Sequence, residues 1–310
     1  MSTCTRVLIT GGTGLVGRRL AASLLASGTE VVLLSRDADA ARAKVPGADA
    51  HAWAPEEGPP PAEAFAGVDG VVNLAGEPVD GRWTAVKKGR IRESRVAGTA
   101  NLVTAIQRLP EEARPRVLVT ASAIGYYGDT GDDAKGEDAS PADEFLSEVC
   151  AAWEAAAKGA EALGVRVVAL RIGLVLDPHG GALGKMLPLW KAGLGGPMGG
   201  GRQWVAWIHR DDLTDLIRFA LESDVAGTLN ATSPYPVRQA EFAKTLGAAV
   251  NRPAFLPAPR FALKVALGEF SVEVLGSRRV VPNRTLSAGF TFAFPTLEGA
   301  LADLLSSGSE

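Results

Sequence analysis

The sequence has little cysteine and no long hydrophobic run. Cys4 and Cys150 are the only two cysteines in 310 residues, too few and too far apart for a disulfide framework or a zinc site. No uninterrupted apolar stretch of about 18 residues is present to cross a membrane, and the N-terminus lacks the apolar core of a signal peptide. We therefore expect a cytoplasmic protein that binds no metal and does not enter a membrane.

The sequence also lacks a strong excess of charge of either sign. It contains 32 basic and 35 acidic residues, a net charge of −3, which argues against general binding to nucleic acid or to a membrane surface. The chain is long enough for one large α/β unit, or for a cofactor domain with a smaller lobe, and for a sizeable core. A small molecule is therefore the expected partner.

A glycine-rich turn, Thr10–Gly17, lies between an apolar strand and an amphipathic helix. Gly11 permits the tight turn, Gly14 lets the backbone approach a pyrophosphate, and Gly17 lets the helix pack closely on the strand. The phosphates would bind the free N–H groups at the helix N-terminus. Glycines also serve ordinary turns, so this pattern alone is a weak signal. The predicted phosphate-binding residues are Gly11, Gly12, Thr13, Gly14, Leu15, Val16 and Gly17.

The second predicted strand, Glu30–Arg36, ends where a dinucleotide fold meets the adenosine ribose. An acidic residue there would accept the ribose 2′-hydroxyl and repel a 2′-phosphate, whereas Ser35 and Arg36 offer hydrogen-bond donors and a positive charge. These residues favour NADP(H) over NAD(H). The alternative is that Arg36 is a solvated arginine in a loop.

The fifth predicted strand, Arg116–Thr120, runs into a polar cluster of Ser122, Tyr126 and Tyr127. Open α/β sheets bind ligands at the carboxyl ends of their strands. These three side chains are therefore candidate catalytic residues.

A long helix is predicted over 83–109, with Arg95, Gly98 and Leu102 on one face. Gly98 inside a helix costs roughly 1 kcal/mol relative to alanine, which indicates close packing. Arg95 on that face could reach the phosphate or the nicotinamide region of a cofactor, and the alternative is an exposed arginine.

The α/β pattern continues with a predicted helix over 144–163 and a sixth strand over 165–176. The glycine-rich segment Pro178–Gly201 could be a lid over a substrate or a linker. An alternating pattern predicts a further strand over 202–209.

The chain closes with a helix over 211–221, for which Asp211 or Asp212 is the predicted N-cap. A helix over 239–250, the alternating strand Phe290–Phe294 and a last helix from about residue 296 follow.

Six strand–helix units, the glycine turn and the polar cluster after the fifth strand together resemble the extended short-chain dehydrogenase/reductases, the epimerase/dehydratase group. The likeness covers nearly the whole chain and is strongest to the atypical YfcH-like subfamily, whose members carry a C-terminal domain of uncharacterised role. The motifs that carry this narrower resemblance are Asn73–Pro78, Ser94-Arg95, Val149-Cys150, Trp153-Glu154, Gly195-Gly196, Gly201–Trp204, Trp207–His209, Arg278–Pro282, Gly289-Phe290 and Phe294-Pro295.

The resemblance implies a Rossmann-like, doubly wound parallel α/β sheet with a smaller C-terminal α+β substrate lobe. We expect residues 1–176 to form the NADP(H)-binding domain, with 203–230 returning to it. Residues 177–202 and 231–310 are then the substrate lobe and the C-terminal domain. Beyond the glycine turn, the implied cofactor contacts are Ser35, Arg36, Leu74, Ala75, Gly76, Arg95, Gly173 and Leu174.

The scarcity of tyrosine separates this chain from typical members of the group. Those members use a Tyr and a Lys four residues later on the helix after strand five, where the Lys lowers the pKa of the phenol so that it can move a proton. Aligning the helices on Glu154 places Leu146 and Cys150 at these positions, and no tyrosine occurs between Tyr127 and Tyr235.

Two classes of function therefore stay open. An NADP(H)-dependent oxidoreductase or epimerase acting on a small carbonyl or sugar-like substrate needs another proton donor, and Tyr126 or Tyr127 beside Ser122 is the best placed. A non-catalytic module would instead report cofactor occupancy to a partner protein. An epimerase that reduces and reoxidises a tightly held cofactor is a third alternative, and a homodimer is a possible assembly. The residues predicted on the substrate side are Lys185, Arg202, Trp204 and His209.

Overall fold

The computed structural model describes residues 4–306, which are organised around one parallel sheet. Its seven strands are β1 Arg6–Thr10, β2 Glu30–Ser35, β3 Asp49–Ala52, β4 Gly70–Asn73, β5 Val117–Ala123, β6 Arg166–Ile172 and β10 Gly227–Ala231. Four short strands lie outside it: β7 Leu174–Leu176, β8 Trp204–Val205, β9 Trp207–His209 and β11 Val237–Arg238. The spatial order is β3-β2-β1-β4-β5-β6-β10, so the chain changes direction between β1 and β4, where doubly wound sheets bind ligands.

Helices cover both faces of the sheet. The α-helices within residues 4–306 are α1 Leu15–Ala26, α2 Ala38–Lys44, α3 Ala85–Arg108, α4 Phe145–Lys158, α5 Gly181–Lys191, α6 Arg210–Glu222, α7 Gln239–Ala249, α8 Arg260–Leu267, α9 Ser271–Leu275, α10 Asn283–Ser287 and α11 Leu297–Ser306. Helices α1, α2 and α6 lie on one face, and α3 and α4 on the other. Within residues 4–306, no helix is long and apolar enough to cross a membrane.

The apolar run of β1 shows why the sheet is covered on both sides. Val7 and Ile9 belong to a core shared with α1, α2 and α6, whereas Leu8 belongs to a core shared with α3 and α4. Successive side chains of a strand point to opposite faces, so a continuously apolar strand must be buried on both. The predicted doubly wound sheet is confirmed.

A third core lies beside the sheet and forms the smaller lobe. It brings together side chains of α5, α7 and α11 with the fully buried Trp207 of β9. The antiparallel pair β8–β11 belongs to the same region. The smaller α+β lobe is thus confirmed, and its exact boundaries stay a prediction.

The strands predicted over 165–176 and 202–209 each divide in two. At Gly173 a Cβ atom would lie 2.8 Å from the carbonyl oxygen of Ala206, and the Gly173 N–H donates to Ala231 at 3.0 Å. The chain therefore leaves the main sheet at Gly173 to pair with β9, and Ala206 separates β8 from β9. Strand β10, which the sequence pattern did not predict, completes the sheet.

The predicted strand Phe290–Phe294 is wrong. The N–H groups of Ala293 and Phe294 donate to the carboxylate of Asp212 on α6 at 2.7 and 3.1 Å. A side chain rather than a neighbouring strand satisfies this backbone. Phe290 and Phe292 are buried in the core shared with α1, α2 and α6, and Phe294 packs against the third core. The alternating pattern reflects this burial, not a sheet.

The predicted N-cap of α6 is also wrong. His209 is the N-cap, and its Nδ1 accepts the N–H of Asp211 at 3.1 Å. Asp212 is turned toward the C-terminal segment instead. A histidine is an uncommon N-cap, so the sequence pattern favours the neighbouring acidic residues.

Candidate functional site

A cavity of about 490 Å³, called the first cavity here, opens beside the junction of β1 and β4. The glycine turn, the end of β2, the loop after β4 and one face of α3 form its walls. Its lining includes Gly11, Ser35, Arg36, Ala75, Gly76 and Arg90. These elements meet because the carboxyl ends of parallel strands share one edge of the sheet.

The glycine turn has the geometry of a phosphate cradle. Gly11 has a φ of +68°, and a Cβ atom there would lie 2.8 Å from the carbonyl group of Leu74. At Gly17 a Cβ atom would lie 2.4 Å from the carbonyl oxygen of Gly11. Helix α1 begins after Gly14 without a side-chain cap or an acidic residue in its first turn, so its N–H groups are available to an anion. The residues present therefore fit a dinucleotide.

A buried hydrogen-bond network fixes the turn relative to β4. The Thr10 hydroxyl donates to Asn73 Oδ1 at 2.7 Å and accepts the next two backbone N–H groups after Asn73. Asn73 Nδ2 donates to the hydroxyls of Thr99 on α3 and Thr120 on β5, at 2.8 and 3.2 Å. The sequence analysis did not predict this role for the threonines. For Thr10 and Thr120, a polar side chain inside an apolar strand was the available signal.

The loop after β4 is held against α3. Lys87 Nζ lies 2.8 Å from Glu77 Oε1, and Arg95 Nη1 donates to the Glu77 carbonyl oxygen at 2.9 Å. The Lys87 hydrogen bond lowers the pKa of Glu77, and the charges of Arg90 and Arg36 lower this pKa further. Cations from two elements therefore act on one wall of the first cavity.

Arg95 supports this wall from behind. It donates to the carbonyl oxygens of Glu77 and Ile91, and its guanidinium lies 5.2 Å from the centre of the Trp153 ring. A Cβ atom at Gly76 would lie 3.0 Å from the Arg95 guanidinium carbon. Burial lowers the pKa of Arg95. The predicted direct contact with a cofactor stays a prediction.

Other predicted cofactor residues do not line the first cavity. Gly12 packs on Leu33, and Leu15 packs on Gly180 at the start of the glycine-rich segment. Leu174 pairs with Trp207 between β7 and β9. The cofactor contacts predicted for these residues, and for Gly173 at the strand break, stay predictions.

The three candidate catalytic residues belong to a buried polar network centred on Arg171. Ser122 Oγ donates to Glu154 Oε1 at 2.6 Å, and Arg171 donates to both Glu154 oxygens at 2.8 Å. Arg171 also donates to the Tyr127 hydroxyl at 2.8 Å, which in turn donates to Asn230 Oδ1 at 2.7 Å. Burial raises the pKa of Tyr127 to about 12. Tyr127 is thus poorly suited to take a proton near neutrality.

Tyr126 lies under the same arginine, with the guanidinium carbon of Arg171 3.3 Å from its ring centre. Neither tyrosine lines the first cavity, nor does Ser122. The catalytic assignment of these residues stays a prediction.

Helix α4 carries Leu146 and Cys150 at the positions matched with the Tyr and Lys of typical members. Leu146 packs against Gly125. Cys150 is buried, and burial raises the pKa of its thiol to about 11. Neither side chain can act as a base near neutrality.

A second cavity of about 380 Å³ lies between the start of α4 and the C-terminal helices α8 and α9. Leu146 forms part of its wall, as do Glu273 and Arg278. Arg278 Nη2 donates to Glu273 Oε1 at 3.2 Å, and burial raises the pKa of Glu273. Sequence reasoning missed these two residues because only folding brings them to α4.

The four residues predicted on the substrate side are separated. Lys185 pairs with Asp80, and Trp204 Nε1 donates to Asp132 at 3.0 Å. His209 is fully buried as the cap of α6, and Arg202 is exposed. None of the four lines either cavity, and their contact with a substrate stays a prediction.

Two models of known families match separate parts of the chain. Residues 7–232 match the model of the NAD dependent epimerase/dehydratase family. The chain belongs to this family. Residues 258–304 match a domain of unknown function, DUF1731. Both the predicted family and its C-terminal domain are therefore confirmed.

Individual relatives cover nearly all of the chain. The chain is 40% identical to the chloroplastic epimerase family protein SDR39U1 homolog of Arabidopsis thaliana, over 96% of this chain and 86% of the relative. The human epimerase family protein SDR39U1, whose structure was solved with NADPH, has a TM-score of 0.86 and 35% identity over 97% of this chain and 99% of that chain. A nucleoside-diphosphate sugar epimerase from Corynebacterium glutamicum has a TM-score of 0.77 and 34% identity, over 99% of this chain and 59% of that chain. The predicted Rossmann-like fold agrees with both structures, and the predicted cofactor agrees with the NADPH in the human one.

Proposed function

We propose that this member of the epimerase/dehydratase family binds NADP(H) and is an oxidoreductase or epimerase acting on a small carbonyl or sugar-like substrate. The first cavity carries the proposal, because it is lined by Gly11 of the turn that leads into the uncapped N-terminus of α1, by the donors of Ser35 and by the charge of Arg36. The NADPH bound by the human relative supports the choice of cofactor. The name of the Corynebacterium glutamicum relative supports a sugar-like substrate.

The chain's own residues would bind and orient the cofactor. The N–H groups that open α1 bind its phosphates, and the small residues Ala75 and Gly76 leave room for it beside β4. When bound, a nicotinamide cofactor supplies a hydride donor or acceptor. The protein's part is to orient the reactants and to polarise the substrate.

The second cavity is the proposed substrate site, because Leu146 lines it from the position where typical members carry their tyrosine. Arg278 and Glu273 offer the substrate a cation and a carboxyl group. Of the two phenols, we propose Tyr126 for proton transfer, together with Ser122. The hydroxyl of Tyr127 is already bound to Arg171 and Asn230.

The experiment that tests this function has two parts. NADPH fluorescence titration measures cofactor binding, and absorbance at 340 nm follows NADPH consumption with a panel of carbonyl compounds and sugar nucleotides. We expect saturable binding, with NADPH preferred to NADH, and turnover with at least one substrate class. Absence of NADPH binding would overturn the proposal.

A non-catalytic NADP(H) sensor is the second candidate, and the character of α4 favours it. Leu146 cannot exchange a proton, and the buried Cys150 thiol has its pKa raised to about 11. Tight NADPH binding without turnover across the whole panel is the outcome expected of a sensor. Nucleotide that co-purifies with the protein and is not consumed during turnover would indicate an epimerase with a tightly held cofactor.

A further inference from the structure

Two arginines from different elements line the first cavity. Arg36 follows β2, and Arg90 lies in the second turn of α3. Both are exposed, and in the part of the chain that the structure describes neither guanidinium forms a hydrogen bond or an ion pair. Arg95, five residues further along α3, is by contrast bound to two carbonyl oxygens. The donors of Arg36 and Arg90 are therefore available to a ligand.

The two arginines are close enough to act on one carboxylate. Both contribute to the lowered pKa of Glu77, after the larger effect of Lys87. Because Glu77 is already paired with Lys87 at 2.8 Å, it does not engage the arginine donors.

The balance of charge in the first cavity shows why a second arginine matters. Glu56 and Glu93 also line the cavity, and each would repel a phosphate group. Arg36 alone would face these two carboxylates, whereas Arg36 and Arg90 together offset them. The planar donors of both guanidinium groups match the oxygens of a phosphate monoester.

We propose that Arg90 is a specificity-determining residue, which forms with Arg36 a two-guanidinium site for the 2′-phosphate of NADP(H). This inference rests on the proposed binding of NADP(H). The inference adds Arg90 on α3 to Arg36 at the end of β2. The resemblance to the family did not single out Arg90.

The test uses two nucleotides that differ by one phosphate group, 2′,5′-ADP and 5′-ADP, and calorimetric titration of the full-length protein. We expect Arg36→Ala and Arg90→Ala each to weaken binding of 2′,5′-ADP by about tenfold, as for the loss of one charge-assisted contact. Binding of 5′-ADP should change by less than about twofold, since neither substitution removes a contact to the shared part of the nucleotide.

The matched control is Arg92→Ala. Arg92 is exposed on the same helix and does not line the first cavity, so this variant makes the same change of charge without touching the proposed site. We expect it to bind both nucleotides as the wild type does. Arg90→Lys should fall between Arg90→Ala and the wild type, because an ammonium keeps the charge but loses the planar donors.

Three outcomes would overturn the inference. Unchanged 2′,5′-ADP affinity in Arg90→Ala would remove Arg90 from the site while leaving the proposed cofactor intact. An equal loss for both nucleotides, or the same loss in Arg92→Ala, would assign the effect to the fold or to general charge. Failure of the wild type to bind NADPH and both nucleotides would overturn the proposed function, and this inference with it.

Discussion

Arg171 determines the hydrogen bonding of the polar residues around it. A buried guanidinium must have its donors satisfied, and Arg171 uses Glu154 and the Tyr127 hydroxyl as acceptors. Tyr127 therefore serves the buried network, although its position after β5 made it a candidate proton donor. Sequence could predict the cluster, but not that an arginine on the neighbouring strand would occupy it.

Replacing Tyr127 tests this structural role. Tyr127→Phe removes a hydroxyl that accepts from Arg171 and donates to Asn230, leaving two buried polar groups short of a partner. We expect the free energy of unfolding to fall by about 1–3 kcal/mol, measured by urea denaturation, with the Kd for NADPH unchanged. Tyr235→Phe, at an exposed tyrosine, should leave both quantities unchanged. A large loss of turnover with full stability would instead support a catalytic Tyr127.

The raised pKa of Tyr127 predicts a dependence of stability on high pH. Burial raises this pKa from 10.0 to about 12, so the folded state disfavours the phenolate more than the unfolded state does. The resulting contribution is fully present below pH 10 and is lost as pH rises toward 12. Urea denaturation across this range should show a steeper loss of stability for the wild type than for Tyr127→Phe. Parallel curves would contradict the shift.

At the scale of elements, the glycine turn joins β1 to α1 only because two backbones come very close. Gly17 on α1 leaves no space for a Cβ atom beside the carbonyl oxygen of Gly11. The sequence pattern predicted both the turn and the role of Gly17 in close packing, since local spacing along the chain determines them.

Gly17→Ala tests whether the turn positions the phosphate-binding N–H groups. Its Cβ atom would lie within 2.4 Å of backbone, which cannot move as freely as a side chain. We expect the Kd for NADPH to rise at least tenfold and stability to fall by about 1–3 kcal/mol, measured by fluorescence titration and urea denaturation.

The matched control for this turn is Gly89→Ala on α3. Gly89 has nothing within 4 Å of an added Cβ atom, and alanine in a helix interior is favoured over glycine by up to about 1 kcal/mol. The control should bind NADPH normally and be equally or more stable. Normal NADPH binding by Gly17→Ala would contradict the assignment of the turn.

Across the whole molecule, His209 joins β9 and α6 to the last helix. It caps α6, stacks on Phe294 with ring centres 3.9 Å apart, and has Nε2 3.3 Å from an Asp303 oxygen on α11. The sequence analysis predicted His209 on the substrate side. Its burial in this junction depends on a helix almost a hundred residues away, which local patterns do not report.

This junction predicts weaker folding at acid pH. Burial lowers the pKa of His209 from 6.5, against the opposing charges of Asp211 and Asp303 and with the help of Arg210 and Arg19. Because the unfolded chain takes up the proton first, stability is full above about pH 6.5 and falls as the pH drops below it.

His209→Gln should flatten this acid dependence between about pH 6.5 and 5, as measured by urea denaturation at several pH values. His179→Gln provides the control, because the side chain of His179 makes no hydrogen bond to residues 4–306 in the structure. Equal slopes in His209→Gln and the wild type would contradict the prediction.

The sequence by itself determined most strands of the main sheet, the glycine turn and the donors at the end of β2, because apolar periodicity and turn chemistry are local. It also determined the family, with the departure at Leu146 and Cys150. Only the tertiary structure decided which polar groups meet: Arg171 with the Tyr127 hydroxyl, and Asp212 with the backbone of Ala293 and Phe294. Such partners lie far apart along the chain. A buried polar group must form a hydrogen bond with whichever group folding places beside it.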